Sequence, residues 1–350
     1  MSLMINTRCL LQPITGVQRY LSEILPYIHK TIPETIEVCP SQALGHSHLG
    51  HIWEQTTLPI KSRNALLFSP SHTGPLRKTR QIVTIHDMST FDCPQFFSPQ
   101  FRNWYQYSLR KLSSSCEKVI VVSEFTKNRL QDLLSIDSNR IEVIYNGVSE
   151  KFIQTEIDNK YDLSNLGIPS NSRYLFTVGS IEPRKNLGLL ARAWKNIRHK
   201  LPDNTYLVIS GQKGANAIFN DATASEDLKV LMSDDRVIWT GRVTDEVLLR
   251  LYDCAHAFVC VSEYEGFGLP VLEAMSRGIQ PVISGAPALL EASGGLGLVC
   301  QNQESLGVTL LSKLSSDLIP SASEALRKHA TQYTWERAGN ITANLLKNHL

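Results

Sequence analysis

The chain has 350 residues, 42% hydrophobic and 19% charged, with a formal net charge of +2. That length exceeds one ordinary α/β core and implies two, and so small a charge excludes the strongly basic domain that nucleic-acid binding requires. Seven scattered cysteines (9, 39, 93, 116, 254, 260 and 300) form no C-x-x-C pair, which indicates neither a zinc site nor a disulfide framework and suits reduced thiols in the cytosol.

No apolar run is long enough for a membrane span, and no signal peptide precedes the fold. Met1-Ser2-Leu3 ahead of Met4 reads as a leader added for expression and is set aside. Strands are expected at Met4–Asn6, Ile36–Cys39, Leu66–Phe68, Ile82–Ile85, Val119–Val122 and Ile141–Ile144. A helix opens at Thr15-Gly16-Val17 with the stripe Val17, Tyr20, Leu21, Ile24, Leu25 and Ile28. A second stripe, Phe101, Trp104, Tyr105, Ser108, Leu109 and Leu112, either packs on the first sheet or rests at a membrane surface.

Asn146-Gly147 closes this series, and the polar stretch from Ser149 to Ser172 reads as a linker. The second series has strands at Tyr174–Val178, Tyr206–Ser210, Val237–Thr240, Ala257–Val261 and Pro281–Ile283. Strands separated by helices imply parallel sheets built from βαβ units, and two series imply two doubly wound domains. The expected spans are 4–165, 166–330 and a helical segment at 331–350 that is free to return to the first domain.

Parallel sheets bind ligands at the carboxyl ends of their strands. Gly16 starts the first helix and could bring backbone close to a ligand held elsewhere. His86-Asp87 follows the strand Ile82–Ile85, where His86 could bond a sugar hydroxyl or serve only the core. Val178-Gly179-Ser180-Ile181-Glu182-Pro183-Arg184-Lys185-Asn186 leads from a strand into a helix. Two adjacent cations at a helix N-terminus oppose its partial positive charge, and a bound diphosphate would resolve the conflict. In Ser262-Glu263-Tyr264-Glu265-Gly266-Phe267-Gly268-Leu269-Pro270, the glycines allow close backbone approach and Pro270 suits a helix start. Glu265 in this loop and Glu273, expected near the first helical turn, lie eight positions apart and could accept bonds from two parts of one elongated ligand. Gly266-x-Gly268 fails as a dinucleotide fingerprint because Val271 stands where a third small residue is needed.

With Thr15–Tyr20, Ile85-His86-Asp87, Val122–Thr126, Tyr145–Val148, Gly179–Leu187 and the E-x7-E run Glu265–Glu273, the sequence resembles the retaining GT-B glycosyltransferases of family 4. It is most similar to mannosyl- and rhamnosyltransferase-like members that build bacterial surface polysaccharides. The resemblance implies two Rossmann-like domains facing across a cleft and a nucleotide-sugar donor, GDP-mannose first and a UDP-sugar otherwise. It places Arg184 and Lys185 on the donor diphosphate with Ser180 in support, Glu265 on the sugar and Glu273 on the ribose. Backbone at Gly266, Phe267, Gly268 and Leu269 would touch sugar or phosphate, Gly16 the phosphates, His86 the sugar near the reacting carbon, and Arg242-Val243 the base. Leu289-Leu290-Glu291 replaces the family's Leu-Pro-Glu, so the nearby loop shape can differ.

Two side-chain cations can take a metal's part at a departing diphosphate. With no Asp-x-Asp after a strand, neither metal nor cofactor is expected. The acceptor is expected to be a glycan or lipid-linked hydroxyl, used in the cytoplasm with a peripheral contact at the inner face of the membrane as one expectation. An epimerase or hydrolase acting on nucleotide sugars, or a non-catalytic nucleotide-sugar-binding protein, is the alternative.

Overall fold

The computed structural model describes residues 2–42, 49–154, 162–212, 218, 225–315 and 320–350. Two compact units are formed, one by residues 1–92, 102–149 and 333–350, the other by 93–101 and 150–332.

The first unit contains a parallel sheet of β1 (Leu3–Asn6), β2 (Ile36–Val38), β3 (Leu66–Ser69), β4 (Gln81–Ile85), β5 (Lys118–Val121) and β6 (Ile141–Val143). Their order is β2-β1-β3-β4-β5-β6. Leu3 is fully buried in β1, so the three residues set aside as a leader include part of the core. Helix α1 (Gly16–Thr31) buries Tyr20, Leu21, Ile24 and Ile28, the heart of the expected stripe. Its start is fixed by Gln18, whose Oε1 accepts from the Thr15 amide at 2.9 Å. Helix α2 (Leu49–Lys61) follows β2.

The aromatic stripe lies on α3 (Pro99–Ser115) and divides along its length. Ser108, Leu109 and Leu112 are buried, and the two leucines share a core with Val83, Ile85, Val119 and Val121. Trp104 instead meets His51 edge-on at 6.1 Å. Sheet packing therefore accounts for the carboxyl-terminal half of the stripe. Among the described residues, no helix is long and apolar enough to cross a membrane.

The second unit repeats the winding with β7 (Arg173–Val178), β8 (Thr205–Ser210), β9 (Val237–Gly241), β10 (Ala257–Cys260), β11 (Pro281–Ile283) and β12 (Leu298–Val299). The order is β12-β11-β10-β7-β8-β9, and every pair is parallel. All eleven expected strands form. β12 was not expected, because two residues behind Gly294-Gly295-Leu296-Gly297 leave no periodicity to read. Between the strands run α4 (Leu187–Ile197), α5 (Glu226–Met232), α6 (Asp245–Asp253), α7 (Leu269–Ser276) and α8 (Pro287–Ser293). Trp194, Leu190 and Ala193 of α4 bury the apolar face that the sequence shows.

The chain passes between units at Ser149–Glu150 rather than near residue 165, since Phe152 is fully buried and its carbonyl accepts from Arg277 Nη1 at 2.9 Å. Residues 155–161 of the expected linker lie outside the described residues. The last helix, α9 (Trp335–Asn348), belongs to the first unit, as expected. Trp335 packs edge-on to Tyr20 of α1 at 6.1 Å, and the Val148 amide donates to the Tyr333 carbonyl at 2.9 Å.

Candidate active site

In the second unit, β7 and β10 are neighbours, so the loops leaving their carboxyl ends meet. Pro183–Lys185 forms a 3-10 turn, and Asn186 in the left-handed region (φ 52°) breaks it from α4. The cation pair therefore precedes the helix, on a turn of its own just ahead of α4. Its charge is also met from within. Arg184 Nε lies 2.5 Å from Glu182 Oε1, and Arg184 Nη1 lies 3.2 Å from Glu265 Oε2. Lys185 Nζ donates to Glu265 Oε1 at 2.5 Å, and Ser262 Oγ donates to the same oxygen at 2.7 Å.

Two carboxylates and two cations thus balance, and no bound anion is needed to explain the pair. The Glu263 amide donates to the Arg184 carbonyl at 2.8 Å and zips the two loops together. Burial alone would push the Glu265 carboxyl up, but Lys185 and Arg184 outweigh it and hold it below the usual carboxylate range. Glu265 is a preformed anion, with both cations already aimed at one point.

Glu273 is the fifth residue of α7, just past its first turn. Its Oε2 accepts from the Tyr252 hydroxyl at 3.0 Å, and Tyr252 sits among Phe152, Phe176 and Phe258. Gly266, Phe267 and Gly268 are buried, Leu269 is half-buried, and Gly268 begins α7 at φ 108°. Ser180 is half-buried just after β7. Arg242 and Val243 follow β9 at the sheet edge, Arg242 exposed.

Sequence reading assigned no role to Glu182 or to Gly211. Gly211 follows β8 at φ 146°, and a Cβ there would lie 1.9 Å from the Gly179 carbonyl oxygen. Its amide donates to the Gly241 carbonyl at 2.9 Å, and the Gly179 amide donates to Ser210 O at 3.0 Å. Three adjacent strands therefore end on a ledge of bare backbone. A lone glycine after a strand carries no such signal until its neighbours are known.

Gly16 and His86 lie in the first unit. Gly16 opens α1 with nothing within 4 Å of where a Cβ would stand. His86 is buried, its ring edge-on to Tyr20 at 4.9 Å. Nε2 lies 2.7 Å from the Pro70 carbonyl, which can only accept, so the proton sits on Nε2 and Nδ1 is the acceptor. Burial, reinforced by His72, pushes the imidazole down to about 3. At neutral pH it can exchange hydrogen bonds but carries no charge.

Nearby is a buried polar network that sequence reading missed. Arg8 Nη2 lies 3.4 Å from Glu54 Oε2 and donates to Thr73 Oγ1 at 3.2 Å, while Asn6 Nδ2 donates to Glu54 Oε1 at 2.7 Å. It ties the ends of β1 and β3 to α2. Helical spacing alone would have made Glu54 a surface residue.

The His86 environment has a pH consequence. The folded pKa is depressed, so protonation favours the unfolded chain, and the penalty grows as pH falls below about 6.5 toward the folded value. Between pH 6.5 and 4.5, wild type should lose about 2 kcal/mol more than His86→Gln, at ~1.4 kcal/mol per unit. Urea unfolding at both pH values measures this, and parallel losses would show that the folded ring protonates freely.

Two family models cover most of the chain. Residues 60–152 match "Glycosyltransferase Family 4", and residues 158–318 match "Glycosyl transferases group 1". The chain belongs to the family 4, group 1 glycosyltransferases. Among relatives of this glycosyltransferase is O-antigen chain mannosyltransferase B of Escherichia coli, 26% identical over 99% of this chain and 100% of that one. Another is O-antigen chain mannosyltransferase RfbU of Salmonella typhimurium, 25% identical over 84% of this chain and 77% of that one. Two solved structures share its GT-B fold, each with a TM-score of 0.73. WaaG, a glycosyltransferase involved in lipopolysaccharide biosynthesis, is 17% identical over 99% of both chains. Anabaena HepE in complex with UDP-glucose is 16% identical over the full length of both.

Proposed function

We propose that this glycosyltransferase moves mannose from GDP-mannose to a hydroxyl of a glycan or lipid-linked acceptor, with retention, in bacterial surface polysaccharide synthesis. The observation that carries the reading is the gathering of Arg184, Lys185 and Glu265 at the ends of β7 and β10, on the same strand ends as the bare backbone of Gly179 and Gly211. The full-length relatedness to O-antigen mannosyltransferases supports the choice of sugar.

In this reading the donor diphosphate lies beside the cationic turn and over the bare backbone at Gly179 and Gly211. Charge builds on the diphosphate as the sugar departs. Fixed cations lower the barrier most, because they need not reorganise during the step. Glu265 holds them in place before the donor arrives and accepts from sugar hydroxyls once the phosphates share the cations. Glu273 serves the ribose, and Arg242-Val243 the base. His86, neutral, offers Nδ1 to a sugar hydroxyl. Retention follows from attack on the face that the diphosphate leaves, with the acceptor proton passing to the departing phosphate oxygen.

Transfer should proceed without a metal ion. Activity in excess EDTA is expected to stay within a factor of two of that with added Mg²⁺, and a requirement for Mg²⁺ or Mn²⁺ that re-addition restores would contradict this. The donor is tested by thermal shift with GDP-mannose, UDP-glucose and dTDP-rhamnose, since a ligand that binds only the folded state raises its melting temperature. GDP-mannose should give the largest rise. Equal rises, or a larger one with another donor, would displace mannose as the transferred sugar.

A further inference from the structure

The cationic turn has a second side. Bordering it, within the second unit, lies a cavity of about 460 Å³, a volume typical of small-ligand sites. Glu182, Pro183 and Asn186 of the turn line it, with Phe96, Glu263 and Arg192 around them. Two of these polar groups have no work in the fold. Asn186 occupies the position that caps α4, yet its side chain makes no capping bond. Glu263, one residue past Ser262, offers a carboxylate that takes part in no hydrogen bond or ion pair among the described residues.

The charges exclude an anionic ligand. Arg192, the cation of this wall, is engaged by Asp227 at 2.6 Å, and Glu182 by Arg184, which leaves the Glu263 charge uncompensated. A phosphate placed there would face a carboxylate with no cation to spare. The neutral and acceptor groups of the wall are a strong acceptor at Glu263, amides that donate and accept at Asn186 and Gln95, the Ser225 hydroxyl, and a half-buried aromatic ring at Phe96. Hydroxyls need such polar groups, and the apolar face of a sugar ring needs the aromatic one.

We propose that this cavity is a binding subsite for a neutral sugar residue of the acceptor glycan, with Glu263 and Asn186 bonding its hydroxyls and Phe96 stacking on its ring. The proposal rests on the transfer reading for the word acceptor, while the sugar class rests on the cavity alone. Glu182, Pro183 and Asn186 flank the two cations in the chain, so an occupied subsite would steady the turn that carries them.

The test is titration of the full-length protein, without donor, against neutral manno-, gluco- and galacto-configured trisaccharides, followed by calorimetry or saturation-transfer NMR. Wild type should bind at least one of them. Glu263→Gln and Asn186→Gly, which keep the exposed position and the left-handed backbone respectively, should each weaken that binding about tenfold, as expected for one lost hydrogen bond. The thermal shift given by GDP-mannose should not change in either variant. Failure of all three trisaccharides to bind, or unaltered binding in both variants, overturns the subsite. A GDP-mannose shift that falls in step with trisaccharide binding also overturns it, because the cavity then belongs to the donor. If no nucleotide sugar shifts wild type, the transfer reading fails separately, and the trisaccharide result still decides the cavity.

Discussion

Lys185→Met and Glu265→Gln, made singly, should each cost about 1–3 kcal/mol of stability, and made together should cost clearly less than the sum. The reason is charge balance in a poorly hydrated place. Glu182, Arg184, Lys185 and Glu265 form a neutral set, with Lys185 Nζ 2.5 Å from Glu265 Oε1. Either single change leaves one partly buried charge uncompensated, and the double change restores neutrality. Turnover should behave differently. Lys185→Met should lower kcat at least tenfold, because the departing diphosphate loses a charge-assisted contact, and the double variant should recover none of that loss. Urea unfolding and a GDP-mannose transfer assay separate the two readouts. Additive stability losses would remove the argument for a coupled set, and near-wild-type turnover in Lys185→Met would falsify the phosphate assignment.

A large structural effect is expected from a single methyl group at Gly147. A Cβ there would stand 2.1 Å from the Trp335 amide nitrogen and 2.2 Å from the Thr334 carbonyl carbon, both backbone atoms with no rotamer to escape into. The last helix cannot simply shift. Trp335 is buried, and Thr334 Oγ1 accepts from the Arg337 amide at 3.1 Å to hold the helix start. Gly147→Ala should therefore lose roughly 3 kcal/mol or more, at the upper end for overpacking. Hydrogen exchange should rise along α9 and the α1 face it covers. Gly16→Ala is the matched control. Nothing lies within 4 Å of its Cβ position, so stability should hold or rise slightly through better helix propensity. If Gly147→Ala is as stable as Gly16→Ala, α9 does not lock the first unit in this way.

The control also bears on the donor. Should Gly16→Ala keep its stability but lose GDP-mannose affinity, the open space above Gly16 is where phosphate approaches.

Most of the architecture was legible in the order of residues. Short β-branched runs between amphipathic helices can be buried on both sides only as parallel strands, so eleven of twelve strands and both sheets were readable. The positions of Arg184, Lys185, Glu265 and Glu273 were readable too, because the first three sit in loops at the carboxyl ends of strands and Glu273 lies in the helix that the second loop opens. What the sequence could not supply was which charges answer which. Glu182 answers Arg184 from two positions away, but Glu265 reaches both cations because β7 and β10 are adjacent, a pairing of residues some eighty positions apart that no local pattern encodes. The Arg8–Glu54 pair, the ledge at Gly179 and Gly211, and the clash that Gly147 avoids share that origin. Each depends on two distant stretches of backbone brought within a few ångströms by packing, and only the tertiary structure decides which stretches those are.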